Sequence, residues 1–376
     1  MLLALFVLCV LVIIYPLIVY PLLLWLIAAV RPRRWMNGMV TDKVAFIITV
    51  FNEERKIEAK LQNTLNLIGN GVKIEIIVAS DGSTDGTQEI VNGYGASGVR
   101  WLDCPRRGKE AAQIDAIRAT EAEILVFSDT STVVDPNGLG ELLRPFTDPS
   151  IGAVSGIDRV SKSSLTGEHV YLSYEIALRN VESLCNSIVG LSGCFFALRR
   201  QVAEELLPGV PSDFGAALVC ARQGLRAVAQ PAATCFYTAT PDAGSMYRRW
   251  HRTVLRGIRC LLAYRGAVSW RQPLASWQII SHKGMRFLTP FFAILGLVVA
   301  VWAAAAGQIW GIIVWGAFLP LSILGLLSLV LDTSSYCLRV FRPVGFALVI
   351  NAAAITAWCS LFSGRKEATW TPTKRV

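Results

Sequence analysis

Val44-Ala45-Phe46-Ile47-Ile48-Thr49-Val50 is a short, β-branched apolar run that reads as a buried strand. Downstream, Glu53 to Ile68 sets Ile57, Leu61, Leu65 and Ile68 at helical spacing. A second strand pattern, Ile74-Glu75-Ile76-Ile77-Val78-Ala79, stops at Ser80-Asp81-Gly82. The alternation continues with a helix over Thr87–Tyr94, a strand over Val99–Leu102 and a helix over Lys109–Glu121. A strand over Ile124–Phe127 then stops at Ser128-Asp129. Strands alternating with helices predict an α/β domain on a doubly wound, mostly parallel sheet. Such sheets bind ligands at the carboxyl ends of their strands, and the polar clusters fall there.

The flanks have a different character. Of 376 residues, 53% are hydrophobic and 17% charged; mean hydropathy is +0.48. That excludes a disordered chain and argues against an ordinary soluble enzyme. Leu2 to Val30 contains no charge, nor does Phe287 to Leu331. About 20 apolar residues span a bilayer, so an integral membrane protein with a soluble middle is expected. The first run has no basic start and is too long for a signal core, which predicts a retained span. Pro16 and Pro21 predict a kink in it. Arg31, Arg33 and Arg34 follow it and put that end, and the domain after it, in the cytosol.

The expected organisation is a span over 1–30, a catalytic domain over 43–240, interfacial helices over 241–286, about three spans over 287–363 and a basic tail over 364–376. The break between the first two C-terminal spans is expected near Gly307-Gln308. Three such spans leave the tail outside, against the positive-inside rule. Arg248 to Arg259, with Trp250, Trp270 and Trp277, suits helices lying in the membrane interface. The net charge of +9 fits cytosolic loops, anionic lipid head groups or an anionic substrate. No nucleic-acid motif accompanies it. Nine cysteines without a CxxC pair read as reduced cytosolic thiols. Apolar runs almost free of ionisable residues argue against a transporter.

Four segments carry chemistry. Asp81-Gly82-Ser83-Thr84-Asp85-Gly86 has turn chemistry and a carboxylate able to accept bonds from a base or ribose. Asp129-Thr130-Ser131 closes the fourth strand, where a carboxylate can reach a divalent cation on a diphosphate. Arg106-Arg107-Gly108-Lys109 opens a helix and forms an anion site. Pro211-Ser212-Asp213-Phe214 sets an acid before an apolar helix, a pattern that also reads as an N-cap.

In order and spacing these segments resemble the membrane-bound family-2 glycosyltransferases with a GT-A catalytic domain. The resemblance also rests on Thr49-Val50-Phe51-Asn52-Glu53-Glu54, Gly193 to Arg200 and Arg249-Trp250-His251-Arg252, and runs from about Val44 to Gly257. With the flanking apolar runs the chain is similar to the hyaluronan, chitin-oligosaccharide and cellulose synthases. The resemblance implies an inverting hexosyltransferase in a bacterial inner membrane. Its donor would be a nucleotide sugar, UDP-linked, and its acceptor a polysaccharide or lipid-linked glycan. It implies that Thr49, Phe51, Glu53 and Asp81 hold the base and ribose and that Lys109 helps bind the nucleotide. Asp129 would work with Mg2+ or Mn2+ on the diphosphate. Asp213 would be the general base, and Arg249 and Arg252 would lie over the diphosphate, with Trp250 beside them. Three departures stand out. Ser131 replaces the second carboxylate of a DxD motif, Asp115 stands where Asn is common, and Met246 takes the Gln position of QxxRW. The first implies weaker metal binding or help from another acid, and the broken QxxRW favours addition of one sugar or few. A processive synthase, or a degenerate scaffold subunit of a polysaccharide assembly complex, is the alternative.

Overall fold

The computed structural model describes residues 1–40, 42–67, 74–160, 166–237, 243–331, 338 and 340–364. The tail charges Arg365, Lys366, Glu367, Lys374 and Arg375, and Ile68 at the end of the first expected helix, lie outside the described residues.

Eight strands form one sheet: β1 (Val44–Val50), β2 (Ile74–Asp81), β3 (Val99–Cys104), β4 (Ile124–Asp129), β5 (Val133–Val134), β6 (Ile151–Val160), β7 (Phe195–Arg199) and β8 (Arg226–Tyr237). Their order is β3-β2-β1-β4-β7-β6-β8-β5. β3, β2, β1 and β4 run parallel, as the alternating pattern requires. β7 then enters antiparallel to both β4 and β6, and β8 pairs parallel with β6. The sheet is therefore mixed, and only its first half follows the expected winding.

Every residue of β1 is buried because both faces of the sheet are covered. Side chains alternate between faces with period two. Ala45 and Ile47 point, with Ile77, Leu125 and Phe127, into a core closed by the Lys109–Arg118 and Ser212–Gln223 helices. Phe46 and Ile48 point with Ile76, Val78 and Val126 into the opposite core, closed by the Ile57–Asn66 and Gly138–Leu143 helices. Burial of each Val, Leu, Ile or Phe side chain among these stabilises the fold by about 1.5–3 kcal/mol. The register sets Thr49 of β1 beside Asp129 of β4, and Val50 beside Ser80 of β2. The carboxyl ends of three neighbouring strands thus open on one side.

Four helices among the described residues are long and apolar enough to cross a membrane: Leu2–Val30, Pro273–Ala305, Ile309–Val330 and Arg342–Phe362. Pro16 and Pro21 do not split the first; a π-helical turn over Tyr15–Val19 accommodates them. The second begins at Pro273, so the expected boundary at Phe287 falls inside a helix rather than after a separate interfacial one. Within it, His282 meets Glu182 and Glu175, and Arg286 pairs with Glu175. The following break lies at Ala306 to Gln308, as the Gly307-Gln308 pair predicts. Gly325 and Gly345 bring the last two helices together: a Cβ at Gly345 would collide with the Gly325 carbonyl oxygen. Small residues allow this close approach.

Candidate active site

The loops after β1 and β2 interlock through the residues that carry the motifs. Asn52 adopts a left-handed conformation (φ 53°), which Asn tolerates better than most residues. Its Oδ1 accepts the Thr84 N–H (2.8 Å) and its own N–H donates to Ser83 Oγ (3.1 Å). The Glu53 N–H donates to Thr87 Oγ1 (3.0 Å), and Glu54 Oε2 accepts the Gly86 N–H (3.1 Å). The polar residues that end β1 are thus fixed against the Ser83–Thr87 turn.

Asp81 closes β2 and is fully buried. Its Oδ1 accepts the N–H groups of Arg107 (2.9 Å) and Gly108 (2.8 Å), and its other oxygen pairs with Arg106. The Arg106 guanidinium also lies 3.4 Å from the centroid of the Phe51 ring. It fills the slot between Phe51 and Asp81. Neither residue lines the main cavity.

That cavity measures about 860 Å³ and opens over the ends of β1 and β4. Thr49, Glu53, Lys109, Asp129, Asp213, Arg249, Trp250 and Arg252 all line it. Lys109, first residue of the Lys109–Arg118 helix, forms an ion pair with Asp129 at the end of β4. Burial pushes the Lys109 ammonium down, but Asp129 outweighs it and raises the affinity for the proton.

Asp213 lies in the first turn of the Ser212–Gln223 helix. The N-cap position is Pro211, and no side chain caps this end, so the carboxylate is not taken up as a cap. Its Oδ1 accepts only the Phe214 N–H (2.9 Å) among the described residues. A Cβ at Gly193 would come within 3.0 Å of its Oδ2, so glycine there leaves that oxygen room.

Arg249, Arg252 and Arg256 sit at i, i+3 and i+7 of the Ala243–Ala263 helix, which sets them on one face. Arg256 pairs with Glu110. Trp250 packs edge-on against Tyr171 (centroids 5.1 Å) and Phe346 (6.1 Å).

Two features escape a reading of the sequence. Lys60, in the Ile57–Asn66 helix, is buried and donates to Ser128 Oγ (2.7 Å) and the Thr132 carbonyl (2.8 Å). It grips the Asp129-Thr130-Ser131 turn from both sides. Burial pushes its pKa down to about 8, against the pull of Cys235 and Asp129. A lysine on an amphipathic helix normally reads as solvent-facing, and its neighbours in sequence do not mark this one as buried. The second feature is a buried network. Glu182 accepts from Tyr20 OH (2.5 Å) and pairs with His282 (2.7 Å), while Glu175 binds His282 (3.3 Å) and Arg286. Burial alone would push the Glu175 carboxyl up; Arg286 and His282 outweigh it and hold it well below the usual range. This network ties the first apolar helix to the Thr166–Cys185 helix and to Pro273–Ala305.

No cluster of three or more His, Cys, Asp or Glu side chains suited to a metal forms among the described residues. Asp129 alone fits the mode in which Mg2+ takes one protein carboxylate and completes its shell with substrate phosphates and water. Ser131 lines the same cavity.

The profile of Glycosyl transferase family 2 matches residues 45–207, which hold β1 to β7 and the Lys109–Asp129 pair. Over this stretch, somewhat under half of the chain, the sequence is similar to the family-2 glycosyl transferases. Among curated proteins it is similar to poly-β-1,6-N-acetyl-D-glucosamine synthase of Staphylococcus aureus, 25% identical over 232 residues, covering 59% of this chain and 56% of that protein. The Staphylococcus epidermidis synthase is 26% identical over 172 residues, covering 44% of this chain and 41% of its own length. The chain thus matches about half the length of these relatives. Among solved structures, the mannosyltransferase PcManGT from Pyrobaculum calidifontis, in complex with GDP-Man and Mn2+, superposes with a TM-score of 0.75. That likeness covers 97% of this chain and 100% of the other at 20% identity, and it shows the GT-A fold with its added apolar helices.

Proposed function

We propose that the chain moves a sugar from a nucleotide sugar, UDP-linked, to a lipid-linked or polysaccharide acceptor, with inversion at the anomeric carbon. One observation supports this above the rest: Asp129, Lys109, Arg249, Arg252 and Asp213 open onto one cavity. The acceptor hydroxyl oxygen attacks the anomeric carbon as the bond to the diphosphate breaks, and the electron pair leaves with the diphosphate. Asp213 takes the hydroxyl proton. Lys109, Arg249 and Arg252 stabilise the charge that builds on the leaving group. A divalent ion held by Asp129, Mg2+ or Mn2+, would supply further charge stabilisation there. Phe51 and Asp81 receive the base once Arg106 swings out of the slot between them, while Thr49 and Glu53 face the ribose. In this reading the domain is cytosolic, at the inner membrane of a bacterium, and the arginine face of the Ala243–Ala263 helix lies at the membrane surface.

Processive synthesis is the second reading, favoured by the activity in the names of the curated relatives. Met246 at the Gln position of QxxRW is fully buried and offers no polar group to a growing chain, which favours few additions.

Asp213→Asn tests the proposal. Transfer should fall on the order of 10²- to 10⁴-fold while nucleoside diphosphate binding is kept. Full activity in the variant would remove Asp213 from the mechanism.

A further inference from the structure

Helices Pro273–Ala305 and Ile309–Val330 form a hairpin about the turn at Ala306 to Gln308. Near the turn they pack tightly. A Cβ at Gly311 would strike the backbone of Ala300 and Ala304, and the Trp315 indole N–H donates to the Leu297 carbonyl (3.3 Å). Depth can therefore be counted from the turn along either arm. From Ala306 back to Phe287 the first arm extends about 28 Å, and from Gln308 on to Gly325 the second extends about 26 Å, at about 1.5 Å per residue. Both lengths are close to the hydrocarbon thickness of a bilayer, about 30 Å. Arg286, just before Phe287, is the last charge before the turn.

The helix Arg342–Phe362 joins the inner ends of the two arms. At its start Gly345 packs on Gly325. Near its end the Trp358 indole N–H donates to the Phe287 carbonyl (2.9 Å), and its ring meets Phe291 (centroids 5.8 Å). Gly345 and Trp358 are about 20 Å apart along their own helix. Their partners lie at nearly the same depth. The helix thus runs across the end of the hairpin, whereas a crossing helix would run alongside its arms.

A second neighbour gives the same orientation. Ala243–Ala263 carries Arg248, Arg249, Arg252, Arg256 and Arg259 and belongs outside the hydrocarbon. Arg342–Phe362 lies beside it over most of its length. Phe346 meets Trp250, Thr356 shares a hydrogen bond with Tyr247 (2.8 Å), and Ser360 shares one with His251 (3.1 Å). Ala354 and Ala357 pack with Val254, Leu255 and Ile258. The opposite side of the helix is a stripe of Leu348, Ala352, Ile355, Cys359 and Phe362, apolar throughout. Ala352 and Cys359 are exposed, and Phe362 is 79% exposed. Ala243–Ala263 supplies a charged layer and Arg342–Phe362 an apolar one, the combination that holds an element in the plane of a membrane surface.

We infer that three of the four apolar helices cross the bilayer and that Arg342–Phe362 does not. It lies along the surface on the side of the sheet domain, with its Leu348-to-Phe362 stripe against the acyl chains of that leaflet. Gly364 then falls on the sheet domain's side, and the conflict between three C-terminal spans and the positive-inside rule disappears. The inference goes beyond the glycosyl-transfer reading and holds whichever side of the membrane the sheet domain occupies.

Thiol labelling of the full chain in intact cells tests it, with an impermeant reagent and intact-protein mass as the readout. Cys359→Ser removes the exposed thiol among the described cysteines. One reporter is then added at a time: Ser97→Cys on the sheet domain, Ala306→Cys at the hairpin turn, or Ser363→Cys after the last helix, all at exposed positions. The reporter at 363 should behave as the one at 97 does and opposite to the one at 306. With the sheet domain in the cytosol, position 306 labels in intact cells, and 97 and 363 gain their label only after permeabilisation. Labelling of 363 together with 306 would make the last helix a span and overturn the inference. If 97 labels from outside and 306 does not, the cytosolic placement falls, and the inference is still decided by which of the two 363 follows. Depth gives a second measurement. Spin labels at Leu348→Cys, Ala352→Cys and native Cys359, one at a time in phosphatidylglycerol–phosphatidylethanolamine vesicles, should report one shallow depth from collisions with oxygen and a nickel chelate. A maximum of depth at position 352, the middle of the helix, would mark a crossing helix and overturn the inference as well.

Discussion

The two halves of the cavity are built in different ways. The half proposed for the donor comes mainly from strand ends and the turns that follow them, over the stretch Thr49 to Asp129, with bonds between neighbouring βα units and with Arg249 and Arg252 added from the Ala243–Ala263 helix. The far half is assembled from segments far apart in the chain: Leu17, Arg179, Asp213, Lys283 and Phe346 meet across more than 300 positions. The first is held by backbone hydrogen bonds and register. The second depends on how helices pack, and the Tyr20–Glu182–His282–Glu175–Arg286 network fixes that packing. Substitutions in the donor half should therefore act on nucleotide binding and rate. Those in the network should act on stability first.

Glu182→Ala is the strongest way to break this division. It leaves the buried Tyr20 hydroxyl and His282 ring without their acceptor, and each buried polar group so orphaned costs about 1–3 kcal/mol. Thermal unfolding in detergent should show the loss, and UDP binding at low temperature should persist. If UDP binding vanished while stability held, the halves would not be separable in this way.

Asp129→Ala acts on the other half. It should cost on the order of 10² to 10³ in rate, the scale of one lost group that stabilises developing charge. It should also remove the Mn2+ dependence of nucleotide binding, because Ser131 supplies no second carboxylate. Calorimetric titration with UDP, with and without Mn2+, checks this, and parent-like affinity would displace Asp129 from the metal.

Lys60 gives a pH test. Its pKa in the folded chain, about 8, lies below the ordinary 10.5. Between those values the unfolded chain binds the extra proton, so stability rises with pH through that window. The gain is about 3 kcal/mol at most, since each tenfold change in proton affinity is worth about 1.4 kcal/mol. Lys60→Met should abolish this rise when unfolding is followed from pH 8 to 10.5. An unchanged slope would mean the amine titrates normally.

The smallest effect is expected of Ser131→Asp. Restoring a second carboxylate should tighten Mn2+ binding by about tenfold, a step of about 1.4 kcal/mol. Affinity equal to that of the parent would mean that position 131 faces away from the ion.

The same contrast explains what the sequence could reveal. The parallel half of the sheet was legible because each strand is a short apolar run ended by its own polar cluster, as at Val50 and Ala79. The apolar helices were legible from length and lack of charge, except for the start of Pro273–Ala305, where His282, Lys283 and Arg286 hid the helix that continues past Phe287. Missing were β5 to β8: β7 enters antiparallel, and β8 carries Pro231 and exposed residues, so no local alternation announces the pairing. The site residues Asp129, Lys109, Asp213, Arg249 and Arg252 are brought together, but Phe51 and Asp81 lie behind Arg106, a contact that no motif spacing encodes. Lys60, Lys283 and Arg179 were invisible for a further reason. A lone basic residue in a helix carries no mark of which neighbour it will meet.

Catalysis of glycosyl transfer from a nucleotide sugar is the claim on which the rest depends. Donor hydrolysis by the purified chain, measured across a panel of UDP- and GDP-sugars with Mn2+, tests it most directly. Release of nucleoside diphosphate from one donor class is expected, a UDP-sugar first, with the rate lost on chelation and in Asp213→Asn. If no donor were hydrolysed while UDP and Mn2+ still bound, the chain would be a nucleotide-binding scaffold and the catalytic reading would be wrong.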